Sequence, residues 1–312
     1  MNHFVVDCSA VMRMEKKFKG ILALLCAVFI WGTTFVAQSV GMDHIGPYTF
    51  QAIRCSLAVL ALIPLVWVRE RLSGLTDIWS RWLDPALWKA GLPCGLALFT
   101  ATTLQQVGLI DTDAGKSGFI TAMYIVLVPV FGLFLKHKPP KTTIPSVLIA
   151  VVGLYLLSCT GSSGINRGDI LTMGCAAAFA VQILLIEGVA DKFDGMRLNC
   201  VQALVCAVLS GLFMILGREK SDLQGIVNCW FPLVYAGVMS MGIAYSMQII
   251  GQKHIPSTAA SLIMSLESVI AVISGCLILK ETLTVAETLG CVLVFSAVIL
   301  SQIPVKEKNR AA

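Results

Sequence analysis

The sequence predicts an all-α integral membrane protein whose ten transmembrane helices form two five-helix repeats of inverted topology. Three observations predict it. Ten apolar stretches, each long enough to cross a bilayer, fill nearly the whole chain. The second five repeat the pattern of the first five, and because five is odd, the two copies enter the membrane in opposite orientations. With 57% hydrophobic residues, 13% charged residues and a mean hydropathy of +0.83, the 312-residue chain has lipid rather than water as its solvent.

The stretches lie near residues 20 to 41, 47 to 68, 87 to 109, 115 to 135, 142 to 159, 168 to 187, 197 to 216, 229 to 250, 256 to 279 and 284 to 303. At about 1.5 Å rise per residue, roughly 18 to 24 residues of helix cover the roughly 30 Å hydrocarbon layer. Their length and their Leu and Ala content read as helix, whereas a barrel needs short alternating strands. Pro64, Pro93, Pro129, Gly132 and Gly211 fall inside them, which membrane helices tolerate where neighbours cover the freed backbone. Residues 1–19 are polar and basic and read as a cytoplasmic tail rather than a signal peptide, because the apolar run behind them is of full span length. Residues 304–312 read as a second cytoplasmic tail.

Charge sets the orientation. With the N-terminus inside, the cytoplasmic segments carry 17 Lys and Arg, the outer loops carry 5, and Arg54 lies within a span. The positive-inside rule then puts both termini in the cytoplasm of a multi-pass protein of the cell (inner) membrane. Because the cations follow topology and gather in no patch, the net charge of +5 does not imply a nucleic-acid partner. Trp67, Trp79, Trp82 and Trp88 stand beside basic residues as an interfacial belt, with 72–86 lying along the surface. The 11 Cys are scattered without metal-like pairing, so neither metal nor cofactor is expected.

Sliding the chain on itself by 144 positions superposes residues 133–158 on 277–302: apolar helix, Lys (Lys136, Lys280), short polar link, apolar helix. The starts of the halves match more loosely, Cys26 to Phe29 against Cys175 to Ala178, and the copies are residues 20–159 and 168–303. The run Trp31, Gly32, Thr33, Thr34, Phe35, Val36, Ala37, then Arg54 with Ala58, the segment 104–132, and Leu266, Glu267, Ser268, Val269 followed by 277–283 resemble the EamA-type branch of the drug/metabolite transporter superfamily. The chain departs from the common pattern of that family at Ser268, where Pro is frequent. The resemblance implies a helix bundle with a substrate pathway at its centre, spans five and ten at the periphery, and export of amino acids, metabolites or drugs.

Arg54 and Glu267 are the charges placed clearly within spans, where a charge costs about 2.5 to 3.5 kcal/mol on insertion scales. Counted from opposite faces they lie about 10 Å and about 16 Å deep, so in a core of roughly 30 Å their levels differ by about 3 to 4 Å. A cross-repeat ion pair beside a wet cavity is the expectation; snorkelling by Arg54 and kink-capping by Glu267 are the alternatives. Glu267 is the one mid-membrane carboxylate and so the candidate proton carrier. Trp31, Thr33, Thr34 and Gln38 in span one and Thr102, Thr103, Gln105 and Gln106 in span three make polar faces that a hydrated route explains, as does interhelical hydrogen bonding. Tyr124, Gln182, Asn199, Gln202, Tyr245 and Gln248 give a comparable set elsewhere. The pathway candidates are Trp31, Thr34, Arg54, Gln106, Tyr124, Gln182, Gln202, Tyr245 and Glu267. Ser257, Ser261, Ser265 and Ser268 share one helical ridge and read as a packing seam.

Two motifs point elsewhere. Gly115, Lys116 and Ser117 resemble the end of a phosphate-binding loop, but position 110, where that motif needs Gly, is Ile. Gly115 to Gly118 also spells the Gly-x-Ser-Gly of intramembrane serine proteases, whose serine needs a base. His3, His44, His137 and His254 fall in the tail or loops, and Asp is not expected at membrane depth. No catalytic residue is assigned, and the chain reads as a non-enzyme; an intramembrane protease and a non-transporting receptor or scaffold are the rival classes. The favoured reading is a gradient-driven secondary carrier working by alternating access on a small-molecule substrate, with protons as coupling partner if Glu267 titrates. Oligomeric state leaves no sequence signal.

Overall fold

The computed structural model describes residues 8–75, 77–112, 114–136, 139–158, 165–219, 222–274, 277 and 284–303. Outside them lie the link 278–283 with Lys280, the tail 304–312, the linker 159–164, and His3, His137 and Cys276.

Among the described residues all regular structure is helical. The order is α1 (Cys8–Met42), α2 (Pro47–Leu72), α3 (Ile78–Trp82), α4 (Pro85–Gly108), α5 (Ala114–Ala122), α6 (Tyr124–Phe134), α7 (Thr143–Ser158) and α8 (Arg167–Val189). Then follow α9 (Gly195–Leu216), α10 (Leu223–Asn228), α11 (Trp230–Val234), a π-helical segment (Tyr235–Ala244), α12 (Tyr245–Gln252), α13 (Ser257–Met264), α14 (Leu266–Ser274) and α15 (Val285–Gln302). Among the described residues, seven helical stretches are long and apolar enough to span a membrane: Met14–Met42, Pro47–Leu72, Lys116–Phe134, Arg167–Val189, Gly195–Leu216, Trp230–Gln252 and Ser257–Ser274. Shorter apolar helices cover Thr143–Leu156 and Thr288–Gln302. At 24 residues α4 has the length, but Lys89 and its Thr and Gln residues dilute its apolarity. The chain is a multi-pass membrane protein.

Local chemistry fixes the helix starts. Asp84 accepts from Ala86 N ahead of Pro85 at the first helical position of α4, Asp194 accepts from Arg197 N, and Asn166 and Asp169 form a capping box on α8. The basic segment expected as a separate tail is helical from Cys8 and continuous with the first span, supported by a Glu15–Lys19 pair of 2.7 Å one turn apart. Other departures from the predicted spans are internal. The fourth breaks at Met123, the ninth breaks at Ser265, and the eighth carries a π-helical middle. At both breaks the backbone tightens into bonds of three-residue spacing, Val126 N to Met123 O (3.0 Å) and Ser268 N to Ser265 O (3.2 Å).

Packing joins elements from the two ends of the sequence. α2 lies against α9, α4 against α8, α7 against α15, and α1 against α14, α12 and the π segment, while α6 packs on α8 and α13. Close approach needs small residues: a Cβ on Gly32 of α1 would stand 2.6 Å from Ile270 Cβ and 2.9 Å from Glu267 O, and one on Gly153 of α7 would stand 2.9 Å from Leu293 Cβ of α15. All four serines of the predicted ridge, Ser257, Ser261, Ser265 and Ser268, are buried. Ser265 Oγ donates to Leu262 O of its own helix at 2.7 Å, and Ser268 Oγ donates across to Gly118 O of α5 at 3.0 Å.

Candidate functional site

A small polar cavity of about 40 Å³ opens where the breaks in the fourth and ninth spans face α1, α2 and the π segment. Its wall includes Trp31, Thr34 and Gln38 of α1, Arg54 of α2, Gln105 of α4, Thr121 of α5 and Tyr124 of α6. From the second half of the chain come Phe179, Ile183, Ser240, Tyr245, Gln248, Met264 and Glu267. Tyr124 follows the first break directly and Glu267 stands two residues past the second; the Tyr124 hydroxyl donates to Glu267 Oε1 at 3.0 Å, tying the two breaks together. At roughly 10 to 15 Å³ for each water, the cavity has room for about three waters.

Both predicted intramembrane charges reach this wall, but they do not pair. Arg54, 2% exposed, donates Nε to Gln51 Oε1 of its own helix at 2.6 Å and Nη1 to Gln38 Oε1 of α1, and its guanidinium stands 5.7 Å over the Phe50 ring. Glu267, 5% exposed, is held by Tyr124. The expected ion pair is replaced by neutral partners that lie nearer to each charge, glutamine carbonyls for the cation and a phenol for the anion. The site therefore presents a guanidinium and a carboxyl group that do not pair with each other to one cavity, an arrangement that a low-dielectric setting makes costly.

Of the other candidates, Trp31 and Tyr245 form a tilted aromatic pair with ring centroids 4.9 Å apart, and the Trp31 indole nitrogen is buried without a partner. Thr34 lines the wall but donates to Ile30 O at 2.6 Å, so only its acceptor capacity faces inward. Three candidates do not line the cavity. Gln182 and Gln202 form a buried amide chain behind it, Gln248 Nε2 donating to Gln182 Oε1 (3.1 Å) and Gln182 Nε2 to Gln202 Oε1 (3.2 Å). Gln106 is fully buried with both amide atoms unpartnered, while its neighbour Gln105 takes the wall position and donates to Thr121 at 3.2 Å. Successive helical residues point about 100° apart, so a Gln-Gln pair signals a polar face without saying which member looks inward.

Sequence reasoning missed two ion pairs away from the cavity, one buried and one half-buried. Glu70 near the end of α2 pairs with Arg197 in the first turn of α9; both are buried, and Arg69 adds a 2.7 Å bridge to Asp194. Asp169 of α8, placed inside a helix where no Asp was expected, accepts from Lys116 Nζ at 2.6 Å and from Thr112. Their signal was position: each charge sits within a turn or two of a span end, where a sequence reading assigns it to the interface. Ser117, the nucleophile of the protease reading, is buried with its Oγ unpartnered. Among the described residues no cluster of His, Cys, Asp and Glu could hold a metal ion.

Comparison with known proteins agrees with this architecture. The EamA-like transporter family matches the chain twice, over residues 18–159 and 166–302. An uncharacterized transporter of Archaeoglobus fulgidus is 31% identical over 287 residues, 91% of this chain and 86% of that one. The uncharacterized transporter YwfM of Bacillus subtilis is 24% identical over 93% of this chain and 96% of its own length. A protein of known crystal structure superposes with a TM-score of 0.75 at 19% identity, covering 91% of this chain and 96% of that one, which shows a shared fold. Two matched segments spanning nearly the whole sequence, on an all-helical membrane fold, place this chain in the EamA-like transporter family of the drug/metabolite transporter superfamily.

Proposed function

We propose that the chain is a gradient-driven secondary carrier of the inner membrane that exports a small metabolite, amino acid or drug by alternating access between two inverted five-helix repeats. One observation carries the reading: Arg54 and Glu267 face the same cavity without touching each other. A cargo bearing both an anionic and a cationic group, as an amino acid does, neutralises both, and beside Trp31 and Tyr245 it finds apolar ring surface for its body. The cavity of about 40 Å³ is the closed form of that site, and cargo binding requires its walls to part.

The packing supports the inverted repeat. Pairing of α4 with α8 joins the third and sixth stretches, and pairing of α1 with α12 and the π segment joins the first and eighth; a two-fold axis that exchanges the halves turns one pair into the other. The same exchange carries α2 on α9 and α7 on α15 into themselves. Helix breaks at positions 123 and 265 correspond within two residues under the 144-residue shift, and broken helices at a repeat interface are where carriers of this design bind cargo.

Coupling falls to Glu267, the carboxylate on the cavity wall. Counterflow into proteoliposomes loaded with amino-acid and metabolite pools, at two pH values and with Glu267→Gln alongside, tests the proposal. Exchange of a zwitterionic solute that depends on pH in the unaltered chain and not in Glu267→Gln is the expected result. Flux independent of pH in both removes proton coupling and leaves uniport; no exchange of any pool removes the carrier reading.

A further inference from the structure

The central cavity has a companion on the same helices. A second cavity, about 330 Å³, is lined by Val128 of α6, Glu187 of α8, and Ser257 and Thr258 of α13, with four prolines around its rim, Pro129, Pro139, Pro140 and Pro256. On each helix it lies displaced from the central cavity: Val128 against Tyr124, Glu187 against Ile183, Thr258 against Met264. The displacements run toward the C-terminal ends of α6 and α8 and the N-terminal end of α13. The up-and-down course of the chain brings those three ends to one face, the cytoplasmic one by charge. Offsets of four to six residues separate the two cavities by roughly 6 to 9 Å along the bundle at helical rise.

The two cavities share one hydrophobic cluster. Ile183 and Met264 line the inner cavity, Val128 lines the outer one, and all three belong to the main hydrophobic cluster with exposures of 2%, 1% and 1%. Ser261, 0% exposed, lies midway between Thr258 and Met264 on α13. We propose that the outer cavity is the hydrated cytoplasmic waiting site for cargo, closed from the central site by the Val128, Ile183 and Met264 layer; the proposal rests on the pathway reading above. Its walls suit the cargo proposed above: apolar surface for the body of a small zwitterion, with the Glu187 carboxyl and the Ser257 hydroxyl on the wall for its polar groups. Proline rings supply a stiff apolar rim without N–H donors, and Ser257, 2% exposed on that wall, holds a hydroxyl with no hydrogen-bond partner.

Thiol labelling tests this without knowledge of the cargo. Thr258→Cys and Ser261→Cys are made singly in the full chain, and inside-out and right-side-out membrane vesicles are treated with a membrane-impermeant quaternary-ammonium methanethiosulfonate. Reaction is read as the increment over the unaltered chain, whose own cysteines set the baseline. Thr258→Cys is expected to react in inside-out vesicles only, and at least about ten-fold faster than Ser261→Cys. Adding Ile183→Ala or Met264→Ala is expected to speed Ser261→Cys by about ten-fold while the Thr258→Cys rate holds, the latter reporting an intact fold. The proposal is overturned if Thr258→Cys reacts no faster than the unaltered chain or reacts from the other face. It is equally overturned if Ser261→Cys matches Thr258→Cys with the layer intact, or if neither truncation speeds it. Labelling of this pattern beside failed counterflow would retain the waiting cavity and reject the carrier assignment; the reverse would reject the cavity's role alone.

Discussion

Gln105 and Gln106 are adjacent and chemically identical, yet the fold gives them opposite burdens. Gln105 stands on the cavity wall with its amide bonded to Thr121, while Gln106 is buried off the cavity with neither amide atom partnered. An unpartnered buried amide costs about 1 to 3 kcal/mol, so Gln106→Leu is expected to leave stability unchanged or raise it by up to that amount while counterflow persists. Gln105→Leu is expected to reduce counterflow with little change in thermal midpoint; thermal unfolding in detergent beside the flux assay separates the two. The pair also marks how far side chains were legible in the sequence. Charge and aromaticity located Trp31, Arg54, Tyr124, Tyr245 and Glu267, because lipid tolerates such groups only near water or a partner. Rotation about the helix axis is set by tertiary packing, so the inward glutamine was not legible, nor were Phe179, Ile183 and Met264, which look like any other lipid-facing or core residue.

Helices α1 and α14 meet so closely that only hydrogen fits at position 32. A methyl group there would press on Ile270 Cβ and on the carbonyl of Glu267 itself, so Gly32→Ala pushes the second half of the broken ninth span away from α1. Overpacking of this kind costs roughly 1 to 3 kcal/mol, and here the strain falls on the residue that holds the cavity's carboxylate. A lowered thermal midpoint together with slowed counterflow is expected, whereas the same change at Gly211, whose Cβ would meet nothing within 4 Å, should alter neither. Toward one end of the bundle, away from the central cavity, α2 and α9 are tied by Glu70 and Arg197. Removing Glu70 strands a buried guanidinium, so Glu70→Ala is expected to destabilise by about 3 to 5 kcal/mol and Glu70→Gln by less, read by unfolding in detergent. Seven of the expected spans were legible among the described residues because bilayer thickness dictates their length, whereas the extension of α1 back to Cys8 was not. The breaks at Met123 and Ser265 and the π segment were not, since no Gly or Pro stands at either break and the cause lies in neighbouring helices.

The whole molecule reads as two copies of one unit folded onto each other, a reading that rests on the 144-residue repeat, the doubled family match and the exchange symmetry of the helix pairs. Two copies with an odd number of spans cannot both sit the same way up, so the charge bias of each must be opposite relative to its own first span. On the expected topology of ten spans with the N-terminus inside, the sequence puts 17 basic residues on one side and 5 on the other. On that topology the outer loops are the sensitive places, because few charges hold them. The turn between α1 and α2 carries no Lys or Arg at all, and Glu219, from the turn after α9, caps the start of α2 by accepting from Tyr48 N (3.1 Å) and Thr49 N (2.9 Å). These two turns therefore lie on one face, across the bilayer from the Glu70–Arg197 pair. Cysteine at position 43 and cysteine at position 219 should accordingly be labelled by an impermeant maleimide from outside, while cysteine at position 192 and a tag on either terminus should be reached only from the cytoplasm. Labelling of positions 43 and 192 from the same side would break the alternation on which the inverted copies depend. The double match to the family would then describe duplication without inversion, and the exchange axis relating α4 with α8 to α1 with α12 could not lie in the membrane plane.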